Sequence, residues 1–198
     1  LEHSDVSTMV DRIHRAVLGG VDLIQIREKT LSDEALLELA LLIMDRVDGS
    51  VEILVNDRIS VSKQSGLGIH IPEESGSISG IREVLGRDVL IGKSVHHVEN
   101  AVKAESQGVG FLMAGTMFPT TSHPGKFPEG PMLIDNIRKV GNVSIPVLGI
   151  GGITVENADL VMHSGASGVA VISSILNAPD PMEAAAAIKQ VIARCFVR

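Results

Sequence analysis

The stretch that decides the fold is SIPVLGIGGITVENADLVMHSGASGVAVISS, residues 144–174. An apolar run from Ile145 to Ile150 ends in the pair Gly151-Gly152. An amphipathic segment, Val155 to His163, follows, and Gly165 marks its exit. A second apolar run, Gly168 to Ile172, ends in Ser173-Ser174. Both runs are almost continuously apolar, as strands buried on both faces are, so the stretch reads strand–helix–strand with the strands parallel.

The same alternation extends back through the chain. Strand-like runs lie at Val21–Arg27, Val51–Val55, Gly68–Ile71, Val89–Gly92 and Val109–Ala114. Helical patterns lie at Asp5–Leu18, Ser32–Val47, Arg58–Ser65, Ser77–Leu85, His97–Gln107, Met132–Val140 and Pro181–Arg194. In the second of these, Leu36, Leu39, Ala40 and Ile43 fall on one helical face, and Thr30 and Asp33 are placed like a capping pair. Seven strand–helix units after a leading helix make an α/β chain one strand short of a (β/α)8 TIM barrel, the first strand missing or truncated. Loss of that strand from the sequence, or a remnant of it at Leu1–Ser4, accounts for the deficit. An open doubly wound sheet is the alternative, but its G-x-G-x-x-G turn after the first strand is absent. No linker or low-complexity stretch divides residues 1–198, which read as a single domain.

Composition narrows the function. The net charge of −7, with four Phe and no Trp or Tyr, argues against a nucleic-acid partner. The single Cys195 excludes an intrachain disulfide framework and a multi-cysteine metal site. No run of about 18 apolar residues reads as a membrane span, and no signal peptide is visible, so the expectation is a cytoplasmic protein with no membrane partner.

In a barrel the chemistry sits at the carboxyl ends of the strands. Gly151-Gly152 and Ser173-Ser174 fall after the last two runs, where loop backbone and a helix start commonly hold phosphate; a plain tight turn is the alternative. Gln25, Arg27 and Lys29 share one face at the first strand end, and the two cations suit a diphosphate or carboxylate, or else a structural Arg–Glu pair. Asn56-Asp57 offers one Mg²⁺ carboxylate or a helix N-cap. His96-His97 reads as a surface loop-to-helix junction, since adjacent residues point apart. His163 reads as structural, in the last turn of a helix. His123 sits in a Thr/Ser/Pro/Gly-rich loop beyond a strand end and is the candidate general acid–base residue.

These strand ends, in order, carry Gly20 to Lys29 (GVDLIQIREK), Val55-Asn56-Asp57-Arg58, Gly68-Ile69-His70, Ile91 to His96 (IGKSVH), Gly115 to Thr120 (GTMFPT) and the closing Gly149–Ser173 stretch. On these motifs the chain resembles the thiamin phosphate synthase family, which includes thiazole tautomerases of the TenI type, from about Gly19 to Pro181. The resemblance implies a (β/α)8 barrel that holds a small-molecule thiazole phosphate through Gly151, Gly152, Ile172 and Ser173. It implies that Gln25, Arg27, Asn56, Ser94, Thr120 and Ser122 bind substrate, that Lys29 is a catalytic cation and that Asp57 is the metal ligand. A homo-oligomer is also implied.

Two positions depart from the synthase pattern. The second Mg²⁺ carboxylate of the family falls on Ser75, with Glu73 or Glu74 as possible substitutes, and a Thr-Lys pair falls on Ser122-His123. The catalytic His of the tautomerases falls on Thr116, so His123 and Thr116 become the candidate catalytic residues for that reaction. A proton transfer tolerates loss of a diphosphate site, so the first expectation is a tautomerase acting on the thiazole phosphate carboxylate without a cofactor. The alternatives are a Mg²⁺-dependent thiamin phosphate synthase and a non-catalytic regulatory protein that binds thiazole phosphate.

Overall fold

Alternating apolar and amphipathic segments fold as the pattern requires, into a parallel sheet with helices packed outside it. The computed structural model describes residues 3–47, 49, 51–120 and 127–196. The elements run α1 (His3–Leu18), β1 (Leu23–Ile26), α2 (Asp33–Val47), β2 (Glu52–Asn56), α3 (Ile59–Ser65), β3 (Gly68–Ile71), α4 (Ile78–Leu85) and β4 (Ile91–Val95). They continue α5 (Val98–Ser106), β5 (Phe111–Gly115), α6 (Met132–Lys139), β6 (Val147–Ile150), α7 (Ala158–His163), β7 (Gly168–Ala170), α8 (Ser173–Leu176) and α9 (Pro181–Phe196). The seven strands pair in sequence order, each parallel to the next, in a sheet curled as a half-barrel. Among the described residues β1 and β7 are its edges, so the barrel lacks one strand, as the sequence suggested. His3 and Ser4 begin α1, so they are not a strand remnant; Leu1 and Glu2 lie outside the described residues.

Alternate residues on each strand divide between two cores. Ile24, Ile26, Ile53 and Val55 pack outward against Leu36, Leu39, Ala40 and Ile43 of α2. Ile69, Ile71, Ile91, Val95, Leu112 and Ala114 pack outward against α4 to α7. Inside the curl, Leu54, Phe111 and Met113 are buried with Leu23, Leu148 and Ile150 beside them. Gly92 stands opposite Phe111 in the β4–β5 register, and a Cβ there would lie 2.1 Å from the ring carbon Cζ. The bare glycine makes room for the Phe111 ring, which stacks on His70 at 6.2 Å.

Several boundaries differ from the sequence reading. The fourth strand is Ile91–Val95 rather than Val89–Gly92, so Lys93 and Ser94 are strand residues on opposite faces. Lys93 on the outer face and Ser94 on the inner face break the apolar run that marks a buried strand. α2 starts at Asp33, so Ser32 is its cap and accepts from Ala35 N–H at 3.3 Å; Thr30 is too far back to do so. Asp33 instead holds Arg58 (3.0 Å) and the Ser60 hydroxyl. α7 begins at Ala158, because Thr154 and Asn157 first bond each other in a turn. The four-residue α8 has no counterpart in the sequence reading. No helix among the described residues is long and apolar enough to cross a membrane.

Candidate active site

A cavity of about 1010 Å³ runs the depth of the curl, from Leu23, Glu52, Leu90 and Gly168 at the amino ends of the strands to the carboxyl ends, where Gln25, Arg27, Asn56, Ser94, Thr116, Gly151 and Ile172 among the residues singled out above line it. Lys29, Asp57, Thr120, Gly152 and Ser173 adjoin those residues in sequence but do not line it. Ser122 and His123 fall outside the described residues.

On the β1–β4 side the inner face turns polar at its upper layer, and His70 is the organising residue that sequence reasoning passed over. It is buried at 3% exposure, opposite Asn56 in the β2–β3 register. Gln25 Nε2 lies 2.8 Å from Asn56 Oδ1 and 2.9 Å from His70 Nδ1. An amide nitrogen only donates, so both neighbours accept and the His70 proton sits on Nε2, which faces Ser94 Oγ at 3.4 Å. Burial, and then the positive charge of Arg27, push the His70 pKa down to about 4. The imidazole is therefore neutral at ordinary pH, part of an uncharged network of Gln25, Asn56, His70 and Ser94. A polar residue in the middle of the otherwise apolar run Gly68–Ile71 was the signal that could have found it.

Arg27 and Lys29 follow the end of β1 and are exposed, so their charges stand at the rim. Asp57 follows β2 in the left-handed region, φ 55°, with its N–H held by the His70 carbonyl at 2.9 Å. Asp tolerates this conformation better than most residues, and it turns the chain sharply at the rim. Asp57 is not the cap of α3, which is Arg58.

The carboxylates nearby are differently employed. Glu73 accepts from His96 N–H and Asn100 Nδ2, both at 2.8 Å. Burial works against its charge, but these hydrogen bonds outweigh it and hold the carboxyl below the usual range. Glu73 is thus committed to the protein rather than free as a substitute metal ligand. Ser75, where the resemblance places a second carboxylate, accepts from Lys93 Nζ at 3.0 Å, so an ammonium rather than a carboxylate serves that position. Burial pushes the Lys93 pKa down, with Glu73 opposing. Glu74, Ser75 and Lys93 line a second recess of about 390 Å³, which shares Glu73 with the main cavity. Among the described residues no group of three His, Cys, Asp or Glu side chains is arranged to hold a metal ion.

On the β6–β7 side the site is built of backbone. Gly151 and Gly152 follow β6 at φ 102° and 62°, a region that side chains rarely adopt. A Cβ on Gly151 would lie 2.5 Å from Thr116 Cγ2, and one on Gly152 would lie 2.5 Å from the Pro119 carbonyl. Ile172 caps α8, and its side chain is 57% exposed at the rim. The Ser174 hydroxyl is spent on the Ile153 carbonyl at 2.6 Å, which ties α8 to the Gly151-Gly152 turn.

One histidine departs from its sequence reading and another keeps it. His96 lines the cavity and contacts the β5 end, so it is not a surface junction residue. β5 pairs directly with β4, Val95 opposite Ala114, so His96 and Gly115 follow as the next pair along the register, which a strand ended at Gly92 conceals. His163 is structural as expected, with Nδ1 2.7 Å from the Asp159 carbonyl one turn back.

A family model described as thiamine monophosphate synthase (TMP-TENI) matches residues 2–175. A thiamine-phosphate synthase of Roseiflexus castenholzii is 37% identical over 191 residues, 94% of this chain and 82% of the relative. One from Natronomonas pharaonis is 36% identical over 92% of this chain and 87% of its own length. A solved thiamine phosphate pyrophosphorylase from Pyrococcus furiosus superposes with a TM-score of 0.85 at 29% identity, over 94% of this chain and 90% of its own. With strand ends, half-barrel and relatives in agreement over nearly the whole length, the chain belongs to the thiamine monophosphate synthase (TMP-TENI) family.

Proposed function

We propose that the chain is a thiamine-phosphate synthase, joining hydroxymethylpyrimidine diphosphate to thiazole phosphate carboxylate with release of diphosphate and carbon dioxide. The observation that carries this is the extent of similarity to proteins named for that activity, at 37% identity across 94% of the chain. It displaces the tautomerase, which was expected first. The relatives bear the synthase name, and Thr116, standing where that isomerase has its histidine, is buried with its N–H bound to Glu129.

The residues divide the work by chemistry. Gln25, Asn56, His70 and Ser94 form an uncharged hydrogen-bonding surface, suited to a neutral heteroaromatic ring in the cavity. Arg27 and Lys29 stand at the rim, where a leaving diphosphate needs its charge neutralised. Gly151, Gly152, Ile172 and Ser173 supply backbone N–H groups for the thiazole phosphate, and Thr120 is a further substrate-binding residue on the resemblance.

Mg²⁺ fits this arrangement with one protein carboxylate. Mg²⁺ is commonly held by one or two carboxylates together with substrate phosphates and water, and Asp57 provides the one. When bound, the ion neutralises charge developing on the departing diphosphate. Ser75 supplies no second carboxylate and Glu73 is engaged, so Asp57 is the proposed ligand, with Glu74 the remaining acid of the stretch after β3.

The test is product analysis with the full chain. With thiazole carboxylate phosphate, pyrimidine diphosphate and Mg²⁺ together, thiamin phosphate is expected, and Asp57→Asn lowers its rate at limiting Mg²⁺. Isomerisation of the thiazole compound alone, with no coupling in the full mixture, would return the tautomerase. Binding with neither product would leave a regulatory protein.

A further inference from the structure

A chain of polar contacts crosses three strand ends beside the cavity. Glu73, after β3, takes the backbone N–H of His96, after β4, at 2.8 Å. The His96 ring reaches on to β5: Nδ1 is hydrogen-bonded to the Gly115 carbonyl and lies 3.4 Å from Glu129 Oε1. The other Glu129 oxygen accepts the N–H of Thr116. A carbonyl oxygen only accepts, so Nδ1 carries a proton whether the ring is neutral or charged. Gly130 N–H also bonds the Thr116 carbonyl at 3.2 Å, so Thr116 is held on both of its backbone groups.

The contacts continue beyond Thr116. Met117 N–H bonds the Ile150 carbonyl at 2.9 Å, and Phe118 N–H bonds the Gly151 carbonyl at 3.0 Å. The segment Thr116–Pro119 therefore lies across the end of β6, against the faces of Gly151 and Gly152 that a Cβ would fill. Where that segment sits fixes where the two glycines sit.

We infer that His96, with Glu129, is the positioning residue of the Gly151-Gly152 turn, acting through Thr116 to set the anion-binding backbone from across the cavity mouth. The inference rests on the reading of that turn as the phosphate cradle. Neither side chain needs to touch the phosphate. Their effect is to order a backbone whose N–H groups do.

The experiment measures binding of inorganic phosphate to the full chain by calorimetry, which needs no turnover. Gly152→Ala reports on the cradle and is expected to abolish measurable binding. His96→Phe keeps a ring and removes the donor; its Kd is expected to rise about tenfold, the weight of roughly one hydrogen bond. His96→Asn returns an N–H near the Nδ1 position and is expected within about threefold of the parent. Glu129→Met, which strips the acceptor from Thr116 N–H, is expected to match His96→Phe, and carries the test if that variant does not fold. Phosphate binding absent in the parent, or unchanged in Gly152→Ala, would overturn the cradle reading and the inference with it. Loss in Gly152→Ala with His96→Phe and Glu129→Met binding like the parent would overturn the positioning role alone. So would His96→Asn binding as weakly as His96→Phe, because the loss would then follow the ring and not the donor.

Discussion

At the β6–β7 side of the mouth Gly151 and Gly152 present only backbone, while at the β1–β4 side Gln25, Asn56, His70 and Ser94 present side chains to the cavity. The first half owes its shape to missing atoms, with a segment of the next loop packed where a Cβ would go. The second owes its shape to pairing, each amide and imidazole holding its neighbour in one orientation. A phosphate needs convergent donors and little else, and backbone N–H groups supply them. A flat heteroaromatic ring has donors and acceptors in a set order, which only oriented side chains can match. The two halves should therefore fail differently: the backbone half to an added methyl, the side-chain half to a lost partner or a changed charge.

The largest effect falls on the backbone half. Gly152→Ala places a Cβ 2.5 Å from a carbonyl oxygen at φ 62°. That oxygen is backbone and cannot rotate away, so the turn itself must shift. We expect KM for the thiazole phosphate substrate to rise about 100-fold or more, with a much smaller change in KM for the pyrimidine diphosphate. Equal effects on both substrates would mean that the two halves are not separate binding regions.

On the side-chain half the informative variable is pH. His70 has a pKa of about 4 in the folded protein, against about 6.5 when unfolded. Between those values the unfolded chain takes up a proton that the native state refuses, so stability falls as pH drops below about 6.5 and levels off near 4. The full span is on the order of 3 kcal/mol. Chemical denaturation at a series of pH values should show this fall, and His70→Asn should flatten it. Gln25→Leu leaves the acceptors on Asn56 and His70 without their donor and should cost about 2 kcal/mol at neutral pH. A Gln25→Leu protein as stable as the parent would mean that the network is not held by pairing.

The two halves were also unequally legible in the sequence. Gly149-Ile150-Gly151-Gly152 and Ser173 stand out in the sequence, because glycines at a strand end mark either a tight turn or a close approach of backbone to a ligand. The parallel sheet was legible for a similar reason, since doubly buried strands leave continuous apolar runs. His70 was hidden inside such a run, and its importance comes from three strands converging on it. Ser94, expected to bind substrate, lies within β4 rather than beyond it, since Lys93 and Ser94 interrupt the apolar run that marks the strand. His96 lies beside Gly115 because β4 and β5 pair with Val95 opposite Ala114, a register concealed when β4 is ended at Gly92, and Glu129 reaches it from the segment between β5 and α6. Local signals gave the elements and the backbone site, and long-range packing gave the side-chain site.

Ser75 offers the smallest effect and the finest comparison between this chain and its family pattern. Its hydroxyl is bonded to Lys93 Nζ, on the outer side of β4 in the recess that Glu73 and Glu74 also line. A carboxylate placed there by Ser75→Asp meets an ammonium before it meets a metal ion, and the partly buried pair should form in preference to a metal contact. The Mg²⁺ concentration giving half-maximal coupling is therefore expected to move less than about threefold. Removing the competitor as well, in Ser75→Asp with Lys93→Met, should lower that concentration further, because the new carboxylate is then free to turn toward the rim. If Ser75→Asp alone sharply lowered the Mg²⁺ requirement, Lys93 would not hold that position, and the rim would need only its second acid to recover the two-carboxylate arrangement of the family.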